Sequence, residues 1–553
     1  MNWIRLLCFF FAAVALFAKD HWTELNIGPF YVDTDGDPGD ARDALTQLEQ
    51  LRWVLGSLLE SQDLQSVWPL RVMLSDLAKT NPTTSGTEFV LQNGQYVLLT
   101  APKAHLPLGQ VAIILLEANT PRMPPDVEYG LQQLFDTLEA RGSRATWGGK
   151  PAHADLNWAR IQLFATKFEY GTSFHIFLNA LKGGSTIRAA ERNAFGKDAA
   201  ELEREATANL AKGDWQPVSV SGRPLDPRHD FGEHSLDPVI AGVYIADTQL
   251  SANPKAAEPA YRAAADAGSP AAALGYAGLA QIAKLNRQDA TSFLERAVRA
   301  GSRSAPVYVA LAADADAAQA TPLLKKAAQL NPLWAEPVFR QAQFVSGEDK
   351  GALLKRATQL DPRISQYWVE LAQWQALNGH ASAAPGSWLR AEDSARNEAE
   401  RARIHQLRMD SEEQRLDAAD RERRREREEL HQADQRAQNA EMQRIHAAEQ
   451  KANQSGNPEA QSVPAGDVVP WSSLVPQKKL QGLLVNVDCL HTGARLAVKN
   501  RAGKVTELFL ADTATMKLAC GVQRTPRPVS LSYAAQPDED RRTAGNITEI
   551  AWR

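Results

Sequence analysis

Three aspartates near the start of the chain have the spacing of calcium ligands. Asp33, Asp35 and Asp37 alternate in a turn rich in Asp, Gly and Pro, as the first ligands of an EF-hand loop do. The pattern then fails, because Pro38 stands where that loop needs glycine and Ala44 where it needs the closing glutamate. We therefore interpret the run as a solvated turn and not as a metal site.

Two pairs of side chains have the chemistry of a general acid and base. Glu117 and Glu128 flank a proline break, and His153 lies two residues before Asp155. General acid–base catalysis needs both groups within hydrogen-bond reach of one substrate, and sequence distance does not establish that. We interpret these groups as helix-surface or capping charges, with a functional carboxylate pair as the alternative.

The densest set of potential metal ligands is His229-Asp-Phe-Gly-Glu-His234. Histidines five positions apart fall on different faces of a helix, and no cysteine or second cluster completes a ligand set, so we predict a polar loop. His175, between Phe174 and Ile176, is predicted to be a core histidine. The sequence thus predicts no catalytic residue, no metal and no cofactor.

The first 18 residues have the features of a secretory signal. Arg5 supplies the positive charge, and Leu6 to Phe17 form an apolar run that is short for a membrane span of roughly 20 residues. We expect a periplasmic or secreted protein, with an uncleaved anchor as the alternative. Two cysteines follow the signal, Cys489 and Cys520, and an even pair in an exported chain predicts a disulfide over two free thiols.

A short sequence motif recurs every 30 to 34 residues in the middle of the chain. Examples are Leu323-Leu-Lys-Lys-Ala327 and Leu353-Leu-Lys-Arg-Ala357, followed by Gln-Leu-Asn-Pro332 and Gln-Leu-Asp-Pro362. This period, with a small residue where helices touch, is typical of a helix-turn-helix solenoid. These motifs resemble tetratricopeptide repeats. That resemblance implies about five helical pairs over 236–395, a protein or peptide partner, and packing between repeats at Ala264, Ala297, Ala327, Ala357 and Ala391.

Residues 20–215 read as mixed α and β structure. Strands are predicted at Phe30–Thr34 and Leu70–Leu74, and helices at Leu108–Asn119 and over 126–140, after the break at Pro124-Pro125. This order resembles the catalytic domain of gluzincin metallopeptidases. In that family the first of two paired helices carries His-Glu-x-x-His, which binds zinc and activates water, and the second carries a glutamate ligand.

The resemblance implies a zincin-like α+β domain that has lost its zinc site. Gly109, Gln110 and Ile113 stand where the first His, the Glu and the second His belong. Tyr129 stands at the third ligand position, with Glu128 one residue out of register. We therefore interpret the domain as a non-catalytic relative, followed by a linker over 216–235.

The composition changes abruptly over 396–453, where acids and bases are almost equal in number. Opposite charges four residues apart, such as Asp420 and Arg424, support a long solvated helix. A coiled coil is the alternative, although Leu407, Leu416 and Leu430 are too sparse and uneven for regular heptads. A flexible linker is expected over 454–470. Residues 471–553 then predict about five short strands, in a small barrel or sandwich tied by the disulfide.

The bulk properties exclude some classes of function. The chain has 553 residues, 61 Lys and Arg, 66 Asp and Glu, and a net charge of −5, so nothing in its overall charge attracts nucleic acid. We expect a multidomain protein that acts as a non-enzymatic, extracytoplasmic protein-binding scaffold. The alternatives are an envelope peptidase or hydrolase with unrecognised metal ligands, and a structural spacer. The oligomeric state stays open.

Overall fold

The computed structural model describes residues 21–80, 88–213, 215–454, 476–490, 492–511 and 520–552. The expected signal over 1–18 lies outside the described residues, as does the predicted linker from residue 455 onward. The chain divides into two compact units, with the boundary between Glu428 and Glu429. None of the described helices combines the length and the apolar character needed to cross a bilayer.

The N-terminal domain contains two sheets. Its strands are β1 (Trp22–Ile27), β2 (Phe30–Thr34), β3 (Leu70–Leu74), β4 (Val90–Gln92), β5 (Gln95–Thr100), β6 (Glu139–Arg141), β7 (Arg144–Trp147), β8 (Val218–Ser221) and β9 (Gly232–Leu236). Six of them form one sheet in the order β4-β5-β3-β2-β1-β9, and β6-β7-β8 form another. Strands β2, β3 and β5 run parallel, so the centre of the larger sheet must be covered on both faces.

One face of the larger sheet packs on the domain's own helices. These are α1 (Pro38–Leu58), α3 (Leu108–Asn119), α4 (Pro125–Asp136), α5 (Leu156–Thr166), α6 (Phe174–Lys182), α7 (Ile187–Phe195) and α8 (Ala199–Lys212), whereas the short α2 (Leu77–Thr80) packs on the opposite face. Leu70, Val72 and Leu74 of β3 join Leu45 and Leu48 of α1 in the main core. The helix predicted over 126–140 ends at Asp136, and β6 occupies its expected last turn because the chain reverses into a hairpin with β7.

Ten α-helices follow as five consecutive pairs, with a 3-10 turn at Ala342–Phe344 inside the fourth pair. They are α9 (Pro238–Gln249) with α10 (Pro254–Asp266), α11 (Ala271–Leu285) with α12 (Thr291–Arg299), α13 (Ala305–Ala312) with α14 (Ala317–Leu330), α15 (Ala335–Gln341) with α16 (Gly347–Leu360), and α17 (Ser365–Leu377) with α18 (Ala384–Asp393). The second helix of each pair carries one of the alanines singled out from the repeat, and each of them has 0% exposure: Ala264, Ala297, Ala327, Ala357 and Ala391. A larger side chain there would separate neighbouring helices.

The first solenoid helix covers the other face of the larger sheet. Ala241 and Ile245 of α9 pack against Met73, Val97 and Leu99, which point away from the main core because side chains alternate along a strand. The N-terminal domain and the solenoid therefore share a hydrophobic core.

The segment 216–235, predicted to be a linker, contributes two strands. Val218–Ser221 pairs with β7, and Gly232–Leu236 pairs antiparallel with β1. These pairings satisfy backbone groups that β1 and β7 would otherwise expose at an edge. Alternation within Gly-Glu-His-Ser-Leu is too weak to predict a strand from the sequence, and the open edge of β1 supplies the missing information.

The charged segment is one helix of 57 residues, α19 (Glu398–Gln454). Its first turns cap the solenoid, where Ile404 is fully buried against the last pair. Farther along, the carboxylate of Glu412 pairs with Arg415, and that of Asp420 pairs with Arg423 and not with the predicted Arg424.

The C-terminal strands close into a five-stranded barrel. They are β10 (Gln477–Leu490), β11 (Gly493–Lys499), β12 (Val505–Leu510), β13 (Gly521–Ala534) and β14 (Asn546–Trp552), in the order β10-β11-β12-β14-β13. Val487, Leu496 and Leu508 have 0% exposure in its core. The predicted disulfide is present: Cys489 near the end of β10 is bonded to Cys520, which precedes β13, with their Cα atoms 5.7 Å apart.

Candidate functional site

The three aspartates with calcium-like spacing each have a partner within the fold. Asp33 lies in β2, fully buried, with Oδ2 2.5 Å from Arg71 Nη1, so the predicted solvated turn is wrong for this residue. Asp35 accepts a hydrogen bond from Ser75 Oγ at 2.9 Å. Asp37 caps α1, accepting from the Gly39 N–H at 2.8 Å. Because the three carboxylates serve separate structural roles, they do not converge on one cation.

Glu117 and Glu128 lie on two sides of a guanidinium from the solenoid. Arg363, in the loop before α17, is 4% exposed; its Nη2 is 2.8 Å from Glu128 Oε1 and its Nη1 is 3.9 Å from Glu117 Oε1. Its Nε also donates to the carbonyl of Thr120 at 2.9 Å. The two acids are thus brought together as an ion-pair anchor between the N-terminal domain and the solenoid, and Glu128 is committed to that anchor.

The histidines do not assemble a ligand set. His229 is exposed and pairs with Asp226 at 2.7 Å, which raises the pKa of His229 above its usual value. His175 is half exposed, 3.5 Å from Glu60, so its predicted place in the core is wrong: its position on α6 faces outward. Asp155 caps α5, accepting from the Trp158 N–H at 2.8 Å. Within the described ranges, no three His, Cys, Asp or Glu side chains gather as a metal site would require.

The positions aligned with a zinc motif take part in packing. Gly109 lies in the first turn of α3 against α4, its N–H bonded to Asp136 Oδ1 at 2.7 Å. Gln110 binds both backbone groups of Phe89, accepting at 2.7 Å and donating at 3.2 Å. Ile113 packs against the main core, and Tyr129 is 46% exposed on α4. These contacts join α3 to α4 and to the chain entering β4.

A buried acid links the solenoid to the N-terminal sheet. Asp247 of α9 is 1% exposed, and its Oδ1 accepts from Tyr261 Oη at 2.7 Å and from Asn93 Nδ2 at 3.2 Å. Burial raises the pKa of Asp247 to about 7, outweighing the hydrogen bonds that favour the anion. Asn93 belongs to the turn between β4 and β5, so this carboxyl group sits at the joint between the two parts of the unit.

A groove of about 690 Å³ opens between the second and third helical pairs. Apolar side chains line it, including Leu294, Leu311 and Leu323, and three acids stand around it: Asp289, Glu295 and Asp314. Lys284 is the one cation among the described residues that line it. The groove lies at the C-terminal end of α13, whose N-terminal side meets the N-terminal domain through a hydrogen bond from Ser304 Oγ to the Asn93 carbonyl.

Arg363 and Asp247 were not singled out from the sequence, although each is a charged residue that departs from the pattern around it. Arg363 occupies the repeat position held by Leu333 thirty residues earlier, so it is a charge where the repeat has an apolar residue. Asp247 is the only charged residue in the helix Pro238–Gln249, and it follows the apolar run that ends at Ala246. A charge that breaks an apolar pattern indicates a buried partner, and only the fold identifies which one.

No protein-family model matches the sequence, and no curated protein matches it. Among solved structures, YrrB, described as a TPR protein with an unusual peptide-binding site, is 19% identical over 30% of this chain and 92% of its own, with a TM-score of 0.25. MamA is 16% identical over 27% of this chain and 94% of its own, with a TM-score of 0.24. Yeast Tom70 is 14% identical over 54% of this chain and 66% of its own, with a TM-score of 0.23.

These neighbours are tetratricopeptide-repeat proteins. TM-scores of this size do not establish a fold, so the repeat architecture rests on the five helical pairs and their buried alanines.

Proposed function

We propose that this chain is a non-enzymatic protein-binding scaffold, and that its solenoid binds an extended segment of a partner in the groove between α11 and α14. The observation that carries the proposal is that leucine and alanine side chains share one groove with three acids. The leucines favour apolar side chains, and the acids favour a segment that also carries lysine or arginine.

We propose further that the N-terminal domain is a non-catalytic relative of the metallopeptidases that it resembles in sequence. The packing roles of Gly109 and Gln110 support this, because histidine at the first position would collide with the neighbouring helix. An extracytoplasmic location belongs to the same proposal. It is supported by the signal-like start of the sequence and by the Cys489–Cys520 disulfide, since disulfides persist in oxidising compartments.

Selection of a displayed random-peptide library on the full chain tests the groove. We expect the enriched peptides to combine apolar and basic residues, and their binding to weaken as salt rises. The double variant Asp314→Asn with Glu295→Gln should reduce their affinity. Asp266→Asn with Glu258→Gln, which makes the same changes on α10 outside the groove, should leave it unchanged. Equal effects of the two double variants would rule out this groove as the site.

Metal analysis tests the non-enzymatic part of the proposal. We expect the purified full chain, incubated with zinc and then dialysed against zinc-free buffer, to retain far less than one zinc ion per molecule. A stoichiometric ion that survives dialysis would favour the alternative of an envelope hydrolase.

A further inference from the structure

A cavity of about 460 Å³ lies where the N-terminal domain meets the solenoid. We call it the junction cavity. Trp68 and Tyr96 line it from the domain, and Trp334, at the start of α15, lines it from the solenoid. The rings of Trp68 and Trp334 touch edge to face, with centroids 4.9 Å apart, so they form a continuous aromatic wall. The volume falls within the range of roughly 300–1,000 Å³ typical of small-ligand sites.

The junction cavity contains donors without acceptors. Arg122 and Arg363 both line it, and among the described residues neither Arg122 Nε nor Arg363 Nη1 has a hydrogen-bond partner, although both atoms are buried. Arg363 Nη1 is 3.9 Å from Glu117 Oε1, too far for a hydrogen bond. A buried guanidinium N–H without an acceptor is unfavourable, so an anionic oxygen placed here would be bound strongly.

The same cavity contains two acids whose burial is only partly offset by nearby cations. Glu117 and Asp361 line it, and burial raises the pKa of both carboxyl groups although Arg363 and Arg122 favour their anionic forms. Arg396 also lines the cavity and favours the anion of Asp361, yet the pKa of Asp361 stays raised. A cation bound beside them would offset that burial. The cavity therefore offers unmet interactions to both signs of charge, next to an aromatic wall.

We propose that the junction cavity binds a small zwitterion, namely an amino acid or a short peptide with both termini free and an apolar side chain. Its carboxylate is bound by Arg122 and Arg363, its ammonium group by Glu117 and Asp361, and its side chain packs on Trp68 and Trp334. Because both halves of the unit line the cavity, the ligand bridges the N-terminal domain and the solenoid. This site is separate from the solenoid groove and does not rest on it.

Titration calorimetry of the full chain with the dipeptide alanyl-phenylalanine tests the proposal. We expect saturable binding at one site per chain. The N-acetylated and the C-amidated dipeptides, each lacking one terminal charge, should bind about tenfold or more weakly. A second titration uses free phenylalanine. If phenylalanine binds more tightly than the dipeptide, the ligand is an amino acid; if the dipeptide binds more tightly, the ligand is a peptide.

Two variants assign the termini. Glu117→Gln should weaken binding of the free dipeptide and leave binding of the N-acetylated dipeptide unchanged. Arg122→Gln should weaken binding of the free dipeptide and leave binding of the C-amidated dipeptide unchanged. Glu117 is half exposed and makes no hydrogen bond to a described residue, so its variant is expected to fold. Glu258→Gln and Arg262→Gln, an exposed pair on α10, are the matched controls. Absence of saturable binding by the dipeptide and by phenylalanine, or equal affinity for free and capped forms, would overturn the proposal.

Discussion

Arg363 is a buried charged side chain at the contact between the N-terminal domain and the solenoid. It is nearly fully buried, and it joins Glu128 and the Thr120 carbonyl of the domain to the loop before α17. An ion pair of this kind contributes modestly while intact, because desolvation opposes the attraction. Removing one partner is costly, because the other charge then stays buried without compensation.

We expect Arg363→Met to lower the free energy of unfolding by about 3 kcal/mol, since it leaves Glu128 unpaired. Urea unfolding of the full chain measures this. Arg340→Met is the matched control: Arg340 pairs with Glu336 at 2.6 Å on the more exposed surface of α15, where such pairs contribute about 0.5 kcal/mol. If the two variants cost the same, Arg363 is not an anchor.

Asp247 makes stability depend on pH. Its pKa is about 7 in the folded chain and about 3.9 when unfolded, so between those values the folded state holds a proton that the unfolded state has lost. The stabilisation is complete below pH 4 and disappears as the pH rises through 7.

We therefore expect Asp247 to make the unfolding free energy fall by up to about 1.4 kcal/mol per pH unit between pH 5 and 7. In Asp247→Asn this contribution should vanish. The difference in unfolding free energy between wild type and variant should therefore change between pH 5 and 7 and level off above pH 8. Unfolding curves at pH 5, 6, 7 and 8 provide the comparison, with the exposed Asp266→Asn as control. A difference that does not vary with pH would show that Asp247 does not titrate there.

At the scale of elements, α3 and α4 approach each other so closely that position 109 has no room for a side chain as large as histidine. Gly109 faces α4 so closely that a Cβ atom would lie 2.6 Å from Asp136 Oδ1. A histidine there would require the two helices to separate. A glutamate at position 110 would lack the amide N–H that Gln110 donates to the Phe89 carbonyl. The spacing between α3 and α4 therefore restricts position 109 to glycine.

Alanine substitutions at two helical glycines distinguish the effect of helix propensity from the effect of packing between helices. Gly242→Ala in α9 has no heavy atom within 4 Å of its new Cβ, so it should stabilise the chain by about 0.5–1 kcal/mol. Gly109→Ala gains the same propensity but collides with α4, and we expect a net loss of about 1–3 kcal/mol. Thermal or urea unfolding distinguishes them. A stabilising Gly109→Ala would mean that α3 and α4 move apart easily.

At the scale of the whole molecule, the chain forms two compact units with different sources of stability. The first joins a mixed sheet to a helical solenoid through a shared core, and the second closes a small barrel with one crosslink. A core as small as that of the barrel buries little apolar surface, so the disulfide matters more there than it would in the larger unit.

We expect reduction, or the double variant Cys489→Ser with Cys520→Ser, to lower the stability of the barrel by about 3 kcal/mol, because the bond closes a loop between residues 31 apart in sequence. Calorimetry of the full chain should show one transition that moves to lower temperature with reductant and one that does not. A shift of both transitions would contradict independent unfolding of the two units.

The sequence alone determined the elements that have a strong local pattern. The strands Phe30–Thr34 and Leu70–Leu74, the helix Leu108–Asn119 and the strands of the barrel were all readable from periodicity and turn residues. The repeat period likewise predicted five helical pairs, and the cysteine pair predicted the disulfide. Each of these depends on residues that are close in the chain or on a simple even count.

Only the tertiary structure decided what the charges do and where the domains meet. Asp33, Arg363 and Asp247 each find partners between 14 and 243 residues away, and a strand such as β9 exists because β1 leaves an open edge. Such pairings depend on which faces of the sheet and solenoid come together. A linear pattern shows that a buried charge needs a partner, and the packing of the whole unit selects which residue supplies it.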